Sequence, residues 1–162
     1  MPLDRGSVTA GASVLGGLVT SKTANLKFSE IKKFVPRHVT GVYEIHTVRG
    51  VALKVGISTN LRRRLRHHGE SLQSGLTFKA AKSAPHPREV TSHRSILAKH
   101  LYFDRSIAPR YDLRSEAGRQ EFLEKNCRIR IKFTSSGAAA RRIEKQQERS
   151  GRFRYRGRVM ER

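Results

Sequence analysis

Apolar and polar side chains alternate most clearly between Gly41 and His68. Gly41-Val42-Tyr43-Glu44-Ile45 and Leu53-Lys54-Val55-Gly56-Ile57-Ser58 read as two strands joined by a tight turn, since successive strand side chains point to opposite faces. In the second, Val51, Leu53, Val55 and Ile57 fall on one face, and Lys54, Gly56 and Ser58 on the other. The spacing then becomes helical. Ser58, Thr59 or Asn60 can cap the helix by accepting a bond from an N–H group of its first turn. At about 100° per residue, Leu61, Leu65 and Leu72 form a narrow apolar stripe, with Arg62, Arg63 and Arg66 pointing away from it. Arg64 and His68 lie one turn apart at its edge, which predicts that both are held against the protein.

The remaining pattern is read in the same way. Asn25 to Val35 predicts a short helix centred on Ser29 to Phe34 and ended by Pro36. Gly69 to Arg88, rich in Gly, Ser, Pro and His, reads as a loop. Val90, Leu97 and Leu101 give Glu89 to Phe103 a helical spacing; Asp104 to Leu113 is a second loop containing Pro109. Ser115 can cap a helix running to Asn126, with Ala117, Phe122 and Leu123 inward. Arg128-Ile129-Arg130-Ile131-Lys132-Phe133 alternates as a third strand, its apolar residues toward the core. A last helix from Ser136 buries Ala139, Ala140 and Ile143, with Glu144 on the border of that face and Glu148 farther toward solvent. The expectation is an α+β fold, with a small three-stranded antiparallel or mixed sheet flanked by helices. Residues 1–38 read as an arm and short helix, 39–150 as the domain and 151–162 as a basic tail.

Charge narrows the partners. The 162 residues carry 34 Lys and Arg against 13 Asp and Glu, a formal charge of +21. A polyanion is the natural partner, because cations that neutralise phosphates release condensed counterions. A basic ribosome-associated protein and a membrane-surface protein share that composition. The cations open to phosphate are Arg62, Arg63 and Arg66 on the helix, Arg105 and Arg110 in the second loop, and Arg128, Arg130 and Lys132 along the third strand. The strand ladder reads equally as a solvated face. Arg152, Arg154 and Arg156 alternate with Phe153 and Tyr155, suited to phosphate contacts and base stacking, or to a disordered basic tail.

Other chemistry is thin. Cys127 has no partner, so neither a disulfide framework nor a zinc cluster is expected, which suits a reducing compartment. His86 lies between two prolines and reads as a surface residue; His93 and His100, near helical spacing, lack the third ligand that would suggest a metal. No run approaches the ~18 apolar residues of a spanning helix, and Thr9 to Thr20 lacks the basic lead and apolar centre of a signal peptide.

Gly41-Val42-Tyr43, Lys54-Val55-Gly56 and the helix carrying Arg64 and His68 resemble the core of the GIY-YIG nucleases, which place Gly-Ile-Tyr on a first strand, Tyr-Ile-Gly on a second, then an Arg and often a His. Lys54 stands where the second tyrosine is usual, as in restriction-type members. The resemblance is specific over Gly41 to His68 and looser around Glu144, the residue matching the family's metal-binding Glu on a helix after the third strand. The Asn that commonly follows is missing, leaving Gln147 or Tyr155 to substitute.

The resemblance implies hydrolysis of DNA phosphodiester bonds with one Mg²⁺ on Glu144. Arg64 would stabilise the transition state, Lys54 would position water or phosphate, and His68 would relay a proton or hold phosphate. Tyr43 would orient or deprotonate water, its phenol acidified by the surrounding cations. Which of Tyr43, Lys54 and His68 is the base stays open. The implied protein is a sequence-specific restriction endonuclease working as a homodimer on double-stranded DNA, cytoplasmic and bacterial. The alternatives are a repair or mobile-element nuclease, and a non-catalytic DNA- or RNA-binding protein on the same scaffold.

Overall fold

The structure, a computed structural model, describes residues 22–79 and 86–156; the segment Thr9 to Thr20 lies outside them. The chain forms β1 (Lys22–Leu26), a 3-10 turn at Phe28–Glu30, α1 (Ile31–Phe34), β2 (Gly41–Thr47), β3 (Ala52–Ser58) and α2 (Leu61–Glu70). There follow β4 (Leu76–Phe78), β5 (Val90–Ser92), α3 (Ile96–Phe103), α4 (Glu116–Asn126), β6 (Cys127–Phe133) and α5 (Gly137–Arg149). The fold is α+β. Its main sheet has four strands in the order β1-β6-β2-β3, each pair antiparallel, and β4 and β5 form a separate two-stranded ribbon.

Helices cover both faces of the sheet. Tyr43, Ile45, Leu53, Ile129 and Ile131 build one core with Leu61 and Leu65 of α2, Leu97 and Leu101 of α3, and Phe122 and Leu123 of α4. Val42, Ala52 and Val55 build a second, smaller core with Ala140 and Ile143 of α5 and with Phe153. Ala140, fully buried, lets α5 approach the sheet closely. The Cys127 thiol, also buried, is pushed up to about 12 by desolvation and is inert. No described helix is long and apolar enough to cross a membrane.

Five expectations are corrected. The sheet has a fourth strand, because Lys22–Leu26 pairs with β6 instead of starting a helix; it has no apolar alternation and is held by the ladder. Leu53 and Val55 face opposite cores: Ile45 pairs with Lys54 but His46 with Ala52, which makes Leu53 the extra residue of a bulge. Val51 is exposed. The segment read as a loop after Gly69 and a helix from Glu89 holds β4 and β5, and α3 begins only after its N-cap Ser95. His93, just past β5, bonds Thr77 Oγ1, and His100 is buried and stacks on Tyr155. Ala117 is exposed; the inward residue of that turn is Arg119, whose guanidinium donates to the Ser71, Leu113 and Arg114 carbonyls, Ser71 Oγ and Gln73 Oε1.

The fifth concerns the ends of the domain. Leu26, Ile31 and Val35 belong to the main core, and Phe153 and Tyr155 are buried, so packing continues across both proposed boundaries. The Arg154 and Tyr155 amides donate to the Ala52 and Leu53 carbonyls at 2.9 and 2.8 Å, laying the tail along the edge of β3. Phe153 and Tyr155 are thereby unavailable for stacking on bases. Arg154 grips Asp104 through Nε at 2.6 Å and Nη2 at 3.1 Å, and the Tyr155 hydroxyl donates to the same carboxylate at 2.9 Å.

Burial opposes the charge on Asp104, but hydrogen bonds from Arg154, Ser106 and Tyr155 outweigh it and hold the carboxyl well below its ordinary range. A carboxyl depressed on folding stabilises fully above its unfolded value, ~3.9, and loses that contribution as pH falls below it. Asp104→Asn is expected to cost about 1–2 kcal/mol at neutral pH, discounted for the solvent that reaches Arg154. Thermal denaturation should find that the gap from wild type narrows below about pH 4; a constant gap excludes the pairing as its cause.

Candidate active site

The site forms where β3 becomes the free edge of the sheet. Tyr43 on β2 stands opposite Gly56 on β3, and a Cβ at position 56 would land on the Tyr43 hydroxyl. Glycine is needed there for close approach, so that the phenol can lie across β3. Helix α2 packs against the same face. Asn60 caps it by accepting from the Arg63 amide, and Ser58 Oγ accepts from the Asn60 amide, so the turn out of β3 runs directly into the helix. Leu61, Leu65 and His68 are fully buried, while Leu72 lies beyond the helix end at Ser71.

His68 is the hub. Its Nε2 lies 2.7 Å from the Tyr43 hydroxyl and its Nδ1 2.7 Å from Ser95 Oγ. Arg64 reaches the same phenol with Nε at 3.5 Å and donates through Nη1 to the Arg94 carbonyl at 3.1 Å. Because Arg64 already offers the phenol oxygen a donor, we assign the Tyr43 O–H as donor to Nε2 and Nδ1–H as donor to Ser95. Burial first, then Arg64 and Lys54, push the imidazole well below its ordinary value, so it is neutral.

The Tyr43 phenol is not acidified. Burial raises its pKa and outweighs the opposing Arg64. Lys54, largely buried, is lowered by desolvation and then by Arg64. Glu144 comes from α5, on the other face of the sheet, and is half-buried; burial and Glu148 raise its carboxyl against Lys54, Arg141 and Arg64. Its charge acts on both Tyr43 and Lys54 from the α5 side of the sheet.

Among the described residues Glu144 makes no ion pair, and no cluster of three or more His, Cys, Asp and Glu could hold a metal. A zinc-type cage is therefore not formed by these residues. An oxygen-only donor set of one carboxylate fits Mg²⁺, which keeps several waters and takes one or two protein carboxylates beside phosphate oxygens. Gln147 and Tyr155 do not fill the place of the absent Asn. Gln147 hydrogen-bonds Glu44, and Tyr155 is in the core.

Several predicted phosphate-binding cations are engaged within the protein. Arg62 donates to the Val35 and Lys32 carbonyls, and Arg128 to those of Cys127, Lys125 and Glu124, where both close helix ends. Arg152 pairs with Glu44 at 2.8 Å, Arg154 with Asp104, and Arg66 with Glu70. Arg63, Arg105, Arg110, Lys132 and Arg156 are exposed, and Arg130 is half-buried opposite Glu44. The sequence reading missed Ser95 and the Arg94 carbonyl. A serine ahead of Ile96-Leu97-Ala98 is an N-cap signal, hidden because the helix was started too early.

Folding keeps His68 neutral below its ordinary value, ~6.5, whereas the unfolded chain takes up a proton there. Its contribution to stability is complete above that pH and declines as pH falls below it. Nitrogen-15 NMR at pH 6 is expected to find the His68 ring unprotonated, and a charged ring would refute the buried relay. Comparison of the chain with protein-family models, curated proteins and solved structures finds no match, and the reading of this site rests on its own geometry.

Proposed function

We propose that the protein is a metal-dependent endonuclease hydrolysing DNA phosphodiester bonds, of the sequence-specific restriction type and acting as a homodimer on duplex DNA. The observation that carries this reading is the hydrogen bonding of Tyr43 to both His68 and Arg64, with the charges of Lys54 and Glu144 acting on each other nearby. The net charge of +21 supports an anionic substrate.

The chemistry asks for a deprotonated water, compensation of charge on phosphorus and a stabilised leaving oxygen. The Tyr43 oxygen takes a proton from an attacking water admitted with the substrate, as its own proton passes to the neutral His68 Nε2 along their hydrogen bond. Lys54 orients the water or a phosphate oxygen at the mouth of the cleft. Arg64, fixed at Nη1 by the Arg94 carbonyl, offers the rest of its fork to the charge growing on the non-bridging oxygens. Mg²⁺ on Glu144 would supply Lewis acidity toward the phosphate and the departing 3′ oxygen.

A second reading, a non-catalytic nucleic-acid-binding protein on this scaffold, is favoured by one observation: Tyr43 is only 1% exposed. Plasmid incubated with the protein and Mg²⁺ separates the two. The nuclease yields discrete fragments; Glu144→Ala still binds DNA but cuts about a thousandfold slower or less, and Arg64→Ala loses about 10²–10³-fold. Because burial raises the Glu144 carboxyl, protons should compete with Mg²⁺ there, so that cutting at limiting Mg²⁺ weakens on the acid side and is restored by added Mg²⁺. Wild-type protein that binds DNA without metal-dependent cutting leaves the binding protein as the answer.

A further inference from the structure

Helix α2 divides two concavities. Arg64 and His68 face the cleft at Tyr43, whereas Arg62, Arg66 and Gly69 face a cavity of about 650 Å³ on the opposite flank. Its apolar lining includes Phe28 and Ile31. Gly69 is required for that surface: a Cβ there would come within 2.7 Å of Phe28 Cδ1, so a glycine in the last turn of α2 admits the ring against the helix backbone. Glycine inside a helix costs about 1 kcal/mol relative to alanine, and here that cost seats an aromatic ring at a cavity wall.

The charges around this cavity are unevenly committed. Glu70 is paired with Arg66, and Glu124 accepts from both the amide and the hydroxyl of Ser29. Lys32, Arg37 and Arg63 are exposed at the rim with no ion pair among the described residues. An apolar aromatic floor beneath a cationic rim matches a ligand that is flat at one end and anionic at the other. We propose that this cavity seats one unstacked nucleotide of a nucleic-acid strand, its base against Phe28 and Ile31 and its phosphates on Arg37, Arg63 and Lys32.

A bare anion would leave the apolar floor in water, and a base still stacked within a duplex could not reach it. An α-helix is ~10–12 Å across with its side chains, so one strand passing over α2 can reach both flanks. The binding site stands whether or not the chain cuts DNA.

The test uses the full chain in EDTA and the anisotropy of a fluorescein-labelled ten-residue oligothymidylate. Arg37→Ala with Arg63→Ala is expected to weaken binding at least about tenfold at ~0.1 M salt, and to reduce the slope of log affinity against log salt by about 1.4, two contacts at ~0.7 each. Phe28→Leu, which keeps an apolar floor but removes the ring, should weaken binding about tenfold, and Phe28→Tyr should retain it. Thymidine monophosphate should displace the oligonucleotide at concentrations where inorganic phosphate does not. The proposal is overturned if the oligonucleotide does not bind, if Phe28→Leu binds as wild type, if the double variant keeps the wild-type salt slope, or if phosphate competes as well as the nucleotide. Protein that passes these tests but does not cut plasmid refutes the nuclease alone; protein that cuts but is indifferent to Phe28→Leu refutes the nucleotide seat alone.

Discussion

The buried hydrogen bond between the Tyr43 hydroxyl and His68 Nε2 holds the candidate site together. Each partner is inside the protein and out of reach of water, so each needs the other: a buried polar group left unpaired costs about 1–3 kcal/mol. That bond ties β2 to α2. The second nitrogen of His68 ties α2 to the start of α3 through Ser95, and Arg64 ties the same helix to the Arg94 carbonyl. Consecutive residues, Arg94 and Ser95, thus orient the two helix side chains that flank the phenol. The fold itself thus sets the geometry of the candidate site.

The same economy governs the positive charge. A formal charge of +21 suggests a surface covered in available cations, yet several of the arginines are engaged within the protein. Among the described residues Arg119 makes no ion pair, and its donors go to carbonyls and neutral side-chain oxygens. Arg62 and Arg128 close helix ends, and Arg152 and Arg154 bind the tail to Glu44 and Asp104. A guanidinium is weakly hydrated and carries a planar fork, which lets it replace water around orphan carbonyls where an ammonium would be costlier to bury. Counting cations therefore overstates the surface available to phosphate; their partners decide it.

What the sequence made legible follows from what periodicity can carry. β2, α2, α4, β6 and α5 have apolar faces of their own, and their caps Asn60, Ser115 and Ser136 are all short polar residues. Arg64 and His68 stood out because helix spacing fixes their relative direction, whereas Tyr43 and Lys54 were singled out through the family resemblance. Glu144 needed the family resemblance, since periodicity put it at a core margin without saying which margin. β1 was hidden because its stability lies in pairing with β6, a contact no local window contains. The tail misled for a different reason: alternating Arg and aromatic residues describe a nucleic-acid-binding segment and an edge-pairing extended segment equally well. The bulge at Leu53 left no signature, because both faces of β3 are covered and an extra apolar residue breaks no pattern.

That bulge also explains where the cleft opens. Among the described residues the tail pairs with β3 through the Ala52 and Leu53 carbonyls, where the extra residue shifts the register. Beyond it, Lys54, Gly56 and Ser58 continue along β3, with α2 on one side of the sheet and α5 on the other. An exposed strand edge is a liability that proteins ordinarily blunt by covering it or by placing charge on it. Here the first half is covered by the tail and the second carries Lys54 beside Arg64 and Glu144, so the charges that discourage pairing with another strand are those gathered at the candidate site. The charge of Lys54 thus serves the edge of the sheet whatever the candidate site does.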